Sequence, residues 1–181
     1  MFSIFCSIIQ QFPAIENMLD GNSRRKLGVV GIGRAESQGD SQLLTLFAPT
    51  DKAFERLVLP DEINTMDFGD LKTKEERMVA MKIINNHIFG RFKSFHDLEC
   101  NDVIRMRNGQ QTQTRCYTNN RLIIQKFQIG SASSAFGEDI ENVVLSLNAP
   151  KIIGKDVQAS NGILQAVKNV IMPDLEGFVT R

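Results

Sequence analysis

Residues that build metal centres and redox sites are scarce in this chain. Its 181 residues contain no tryptophan, one tyrosine, two histidines and three cysteines. A structural zinc site needs four ligands, usually in tight pairs, and no CxxC pair is present, so such a site is strongly disfavoured. We therefore expect neither a bound metal nor a cofactor.

An excess of either charge is also missing. Lysine and arginine number 21, and aspartate and glutamate number 21. A protein that holds a phosphate backbone usually carries a basic excess, so nucleic acid is disfavoured as a partner. No run of 18 apolar residues occurs, and we expect no transmembrane helix. A chain of this size and composition is predicted to form one globular domain.

The cysteines and the N-terminus bear on the cellular compartment. An odd number of cysteines argues against a disulfide framework, so Cys6, Cys100 and Cys116 are expected to be buried or half-buried free thiols. Residues 1–15 lack the basic start of a signal peptide and are predicted to be helical. No N-x-Ser/Thr sequon is present. These features leave the compartment undecided.

The first half of the chain has helical periodicity. Apolar spacing predicts helices over 4–12 and 13–19, a strand over 43–48, and a helix opened by Thr50 and Asp51. A longer helix is predicted over 71–89, with Gly90 as its stop. The polar, glycine-bearing segment 21–42 is predicted to be a surface insertion.

The second half changes to strand periodicity. Asn108-Gly109 is a strong hairpin signal. Helices that lead and strands that follow, without βαβ alternation, predict an α+β class with a mostly antiparallel sheet. The predicted strands cover 103–107, a stretch ending at Tyr117, 122–129, 140–147, 151–157 and 163–172.

Three segments resemble the conserved blocks of fasciclin-like domains, in the same order and at matching distances. TLFAPTDKAF at 45–54 resembles the first block, a strand that runs into a helix. NHIFGR at 86–91, followed by Asp97-Leu98, resembles the Tyr-His block. KDVQASNGILQ at 155–165, ending at VIMP at 170–173, resembles the second block. The match extends over nearly the whole chain.

This resemblance implies a single wedge of N-terminal helices packed on a mostly antiparallel β-sheet. Residues 1–173 would form the domain and 174–181 a C-terminal tail. The resemblance also implies no enzymatic activity. Members of the family typically serve adhesion or protein interaction, outside the cell or on its surface, and some bind small apolar ligands such as carotenoids.

Three positions depart from the family pattern. Asn86 stands where the family has tyrosine, Gln165 where it has histidine, and Lys168 where it has an acidic residue. Integrin recognition in animal members has been tied to the Tyr-His block and to an Asp-Ile pair before the second block. This chain keeps the histidine and has Asp156-Val157, but the lost tyrosine disfavours integrin. The candidate binding residues are Asn86, His87, Asp156, Val157, Arg24, Arg25, Lys26 and Arg34.

Structural roles compete with binding at two of these positions. His87 is in helical phase with Val79 and Ile83, which favours a hydrogen-bonded core histidine over a contact residue. Asp156 precedes the turn at 160–162, and we favour hydrogen bonds to amides near that turn over a partner contact.

An enzymatic function finds little support. His96-Asp97 would suit a base with an orienting carboxylate, but adjacency alone does not make a triad. No nucleophile elbow, HExxH motif or P-loop is present. We predict a non-enzymatic protein-interaction module of adhesion type, extracellular or on the cell surface. The alternatives are an accessory subunit of an organellar or membrane complex, inside a mitochondrion or plastid, and a carrier of an apolar ligand such as a carotenoid.

Overall fold

The computed structural model of the chain describes residues 1–20, 43–119, 122–131 and 149–175. The predicted insertion at 21–42, the predicted strand over 140–147 and most of the predicted tail lie outside the described residues. The described helices are α1 (Ser3–Gln10), α2 (Pro13–Leu19), α3 (Asp51–Glu55) and α4 (Lys74–Asn85), with a 3-10 turn at Asp61–Ile63.

The strands form two sheets. They are β1 (Leu44–Pro49), β2 (Ile88–Phe89), β3 (Val103–Arg105), β4 (Gln111–Asn119), β5 (Leu122–Gly130), β6 (Ile152–Ala159) and β7 (Gly162–Val167). The first sheet has the order β2-β1-β7-β6, and the second has the order β3-β4-β5. Only the β1–β7 pair among these is parallel. The predicted α+β class with mostly antiparallel pairing is confirmed.

Two apolar clusters hold these layers together. The first joins the helices to one face of the first sheet and includes Phe5, Ile8, Val79 and Ile84. The second connects the two sheets and consists of Phe47, Leu98, Ile104, Met106, Ile152, Val167 and Ile171. Burial of apolar side chains is the main driving force for folding, so these clusters fix how the elements are placed.

Helix α4 is shorter than the predicted 71–89. It begins after a capping box, in which the Thr73 hydroxyl accepts from the Glu76 N–H and the Glu76 carboxylate accepts from the Thr73 N–H. It ends at Asn85 rather than at Phe89, because Ile88 pairs with Leu46 of β1. Sheet pairing therefore ends the helix, and the glycine does not.

Other boundaries also shift. Strand β7 ends at Val167, five residues before the predicted end at Met172. Thr50 occupies the position before α3, but its side chain makes no capping hydrogen bond. The Asn108-Gly109 hairpin prediction is confirmed: Gly109 has φ +84° and connects β3 to β4. Glycine adopts this left-handed backbone without the penalty that a Cβ would impose.

The cysteine prediction is wrong. Cys100 and Cys116 form a disulfide with their Cα atoms 5.5 Å apart, and Cys6 is a free, exposed thiol. The segment before β3 lies beside β4: the Asn101 N–H donates to Thr114 O at 2.7 Å, and the Thr114 N–H donates to Asp102 O at 2.8 Å. This backbone pairing brings the two thiols together, although 16 positions separate them in the chain.

Candidate protein-interaction site

His87 lies in the core, directly after α4. Its side chain is fully buried, and its ring lies 5.8 Å from the ring of Phe5. Nε2 accepts the Ile171 N–H at 2.9 Å, so this nitrogen carries no proton, and Nδ1–H donates to Ile83 O at 2.8 Å. Burial lowers the pKa of His87 from 6.5 to about 4, against the smaller opposing effect of the bond to Ile83. The expected core histidine is confirmed.

Asn86 is buried beside it and has polar partners on both sides. Its Nδ2 donates to Ile171 O at 2.8 Å, and its Oδ1 accepts from Asn108 Nδ2 at 2.9 Å. The neighbouring side chains Asn86 and His87 therefore bind both polar groups of the Ile171 backbone. Neither reaches the protein surface in this arrangement.

Asp156 has a different environment. It lies on β6, it is exposed, and its φ is +53°. Its Oδ1 accepts from the Phe95 N–H and from Gln165 Nε2, each at 2.7 Å, and its own N–H donates to Gln165 Oε1 at 3.1 Å. The carboxylate thus holds a neighbouring segment and a neighbouring strand. We expected Asp156 to bind amides near the turn at 160–162, but its partners are Phe95 and Gln165.

Val157 follows on the same strand and faces solvent. It is 53% exposed and pairs with Leu164 of β7. Ile153, near the start of β6, is 47% exposed. The residues of β6 from Lys155 to Ala159 are all exposed. The Asp156-Val157 pair is therefore part of an accessible strand surface.

Two lysines flank the segment that Asp156 binds. Nζ of Lys155 lies 4.0 Å and Nζ of Lys126 lies 4.7 Å from the centre of the Phe95 ring. Lys126 also donates to Phe95 O at 2.6 Å. Burial lowers the pKa of Lys126, and the positive charge of Lys155 lowers it further. The exposed carboxylate of Asp156 and the ammonium group of Lys155 provide opposite charges for polar contacts.

The basic candidates Arg24, Arg25, Lys26 and Arg34 lie outside the described residues. The chain on either side of them is described, and both ends meet at Asn161. Its Nδ2 donates to Met18 O at 3.2 Å and to Leu19 O. Its carbonyl oxygen accepts the Leu44 N–H at 3.1 Å. The segment 21–42 therefore leaves and re-enters the described structure beside the β6–β7 turn.

Two residues of this region were not identified as candidates from the sequence. In the sequence, Gln165 stood out only because the family usually has histidine at this position. In the structure, its side-chain amide binds Asp156. Phe95 carries no sequence signal, because its contribution to the site is a backbone N–H. Any residue except proline could donate such a bond.

No helix within residues 1–20, 43–119, 122–131 and 149–175 is long and apolar enough to cross a membrane. Across the same residues, histidine, cysteine, aspartate and glutamate side chains form no group of three or more that could hold a metal ion.

Comparison with known proteins identifies the fold. The fasciclin domain family matches residues 2–173. A solved structure of a FAS1 domain pair from the insect cell adhesion molecule fasciclin I is similar, with a TM-score of 0.55 and 14% identity, over 93% of this chain. The match covers 44% of that structure's chain, so this protein spans less than half of it. No curated protein matches the sequence. Since the family match extends over nearly the whole chain, this protein belongs to the fasciclin domain family.

Proposed function

We propose that this chain is a non-enzymatic protein-interaction module of adhesion type, and that Asp156-Val157 on β6 contacts its partner. Fasciclin domains commonly serve adhesion or protein interaction. The observation that carries the proposal is exposure: Val157 is 53% exposed beside an exposed carboxylate, whereas Asn86 and His87 are buried.

The composition of this surface suits a protein partner. Protein interfaces place apolar side chains at the centre and polar groups at the rim. Val157 would supply the apolar contact, with Asp156 and Lys155 beside it. Asn86 and His87 would contribute indirectly, because they secure the Ile171 backbone inside the domain.

The insertion adds a second element to this proposal. We infer that Arg24, Arg25, Lys26 and Arg34 form a polar rim for the same partner. The anchoring of both ends of 21–42 at Asn161, directly before β7, supports this placement. Replacement of residues 22–40 by a short Gly/Ser linker should reduce partner binding while the melting temperature stays unchanged. Undiminished binding would remove these residues from the site.

The disulfide supports an extracellular or cell-surface location. Disulfides persist in oxidising compartments and are rare where glutathione keeps thiols reduced. Labelling of the natively expressed protein, denatured without reductant, should therefore detect the single thiol of Cys6. Detection of three thiols would instead favour a reducing compartment. Cys6→Ser, which leaves only the bonded pair, should label solely after reduction.

Cell attachment tests the proposed adhesion directly. Wells coated with the wild-type chain should retain adherent cells, and Val157→Lys should reduce attachment by about tenfold, as for an interface residue of high energetic weight. Ile153→Lys is the matched control, since it makes the same change at a similarly exposed apolar position on the same strand. Equal losses in both variants would contradict a contact at Val157.

Native purification with mass spectrometry complements this assay. A cell-surface or matrix protein that is retained by the wild type and lost with Val157→Lys supports the proposal. Co-purifying subunits of a membrane complex, or a bound pigment, would point to the accessory-subunit or carrier alternative.

A further inference from the structure

Asp156 is exposed, yet its carboxylate has a defined orientation. Gln165, directly behind it on β7, is fully buried. The glutamine amide binds Asp156 at two points, since Nε2 donates to Oδ1 at 2.7 Å and Oε1 accepts the Asp156 N–H at 3.1 Å. A pair of hydrogen bonds from one planar amide fixes both the backbone and the side chain of its partner. We refer to these two bonds as the Gln165 clamp.

Gln165 also contacts the segment 91–95, which connects to both β1 and β6. Residues 91–95 cross the first sheet from β1 to β6. The Thr45 hydroxyl donates to Arg91 O and accepts the Lys93 N–H, both at 2.8 Å. The same Nε2 of Gln165 lies 3.4 Å from Lys93 O, and the Phe95 N–H donates to Asp156 Oδ1. Gln165 therefore connects the crossing segment and Asp156.

These contacts divide the roles of the two carboxylate oxygens. Oδ1 accepts two hydrogen bonds from within the domain. Oδ2 accepts none from the part of the chain that the structure describes. The positive φ of Asp156 is a sparsely populated backbone conformation, and its N–H bond to Gln165 helps to hold it.

We propose that Gln165 is a positioning residue, which orients Asp156 so that Oδ2 faces a hydrogen-bond donor or cation of the protein partner. This inference rests on the proposed function of the Asp156-Val157 surface. A glutamine amide stays neutral throughout the physiological pH range, unlike the histidine usual at this position. The clamp therefore does not depend on the protonation state of the side chain at position 165.

Gln165→Met tests the clamp, because methionine has a similar length and no amide. Amide hydrogen exchange should show the Asp156 and Phe95 N–H groups protected in the wild type and exchanging at least about tenfold faster in the variant. Cell attachment, measured well below the melting temperature, should fall by about tenfold.

Gln128→Met is the matched control. Gln128 is also fully buried, and its amide binds the side chains of Thr112 and Thr114 in the second sheet. The same chemical change there should lower stability without altering attachment or the exchange of the Asp156 amide. A similar loss of attachment in both methionine variants would overturn the positioning role, as would normal attachment in Gln165→Met.

The two proposals fail in different ways. If the wild-type chain retains no cells, the proposed function fails, and the positioning role in partner binding fails with it, whatever the exchange data show. If the wild type retains cells and Gln165→Met leaves both amides protected, the clamp alone is refuted.

Discussion

Two pairs of neighbouring residues, Asn86-His87 and Asp156-Val157, stand in the segments that family resemblance connects with recognition. The first pair is fully buried and binds the Ile171 backbone. The second pair lies on an exposed strand. Family resemblance made both pairs candidate binding residues, but only the second pair is accessible to a partner. A buried pair affects partner binding only by stabilising the fold, whereas an exposed pair is able to contact the partner directly.

Truncation of His87 should have the largest effect. His87→Ala leaves a cavity beside Phe5 and removes the partners of the Ile83 carbonyl and the Ile171 N–H. We expect a loss of about 3 kcal/mol in the free energy of unfolding, measured by chemical denaturation. A variant that unfolds like the wild type but fails to bind the partner would contradict the structural role of His87 and would make it a contact residue.

The stability of the protein should fall at acidic pH because His87 is buried. The pKa of His87 is about 4 in the folded protein and 6.5 in the unfolded chain. Protons then bind preferentially to the unfolded state as the pH falls. The contribution of His87 is complete above pH 6.5 and is lost as the pH falls to about 4, a change of about 3 kcal/mol. Denaturation curves across this range should show the decline in wild type and in His96→Gln, which alters a fully exposed side chain, but less of it in His87→Ala.

Asn86 should have a smaller effect than His87. Asn86→Ala leaves the Ile171 carbonyl and the Asn108 side-chain amide without this partner. We expect a loss of about 2 kcal/mol in the free energy of unfolding. Asn108→Ala keeps the Asn86 bond to Ile171, so it should cost less than Asn86→Ala. The reverse order would show that Asn108, whose Oδ1 also accepts the Gln110 N–H at 3.0 Å, contributes more to stability than the bond between Asn86 and Ile171.

Changes at the exposed apolar residues of β6 should hardly affect stability. Val157→Lys and Ile153→Lys should each alter the free energy of unfolding by less than about 0.5 kcal/mol, because both side chains already contact water extensively. Binding would then distinguish two variants of equal stability. A large loss of stability for Val157→Lys alone would contradict this expectation, since it would show that Val157 supports the sheet.

Local patterns predicted His87 and the β3–β4 hairpin well. The spacing of Val79, Ile83 and His87 predicts that all three point inward, and all three are buried, although His87 lies in the turn after α4 and not on the helix itself. Asn108-Gly109 specifies its own turn through backbone conformation. Such features depend on neighbours within a few positions, so periodicity and turn chemistry are sufficient to find them.

Contacts between distant segments were not predictable in the same way. The end of α4 depends on the pairing of Ile88 with β1, and the disulfide depends on the approach of the 100–102 segment to β4. Asp156 has a partner 61 positions away in Phe95. No spacing rule connects these positions, because each contact forms only when separate elements pack together.

The α+β class, the resemblance to fasciclin domains and the inward position of His87 could all be predicted from the amino-acid sequence, since they follow from periodicity and from blocks of residues in a fixed order. The exposure of the motif residues, the pairing of Cys100 with Cys116 and the use of Asp156 Oδ1 inside the domain became visible only in the folded chain. Burial and hydrogen bonding depend on packed surfaces, and those surfaces are assembled from segments that are far apart in the chain.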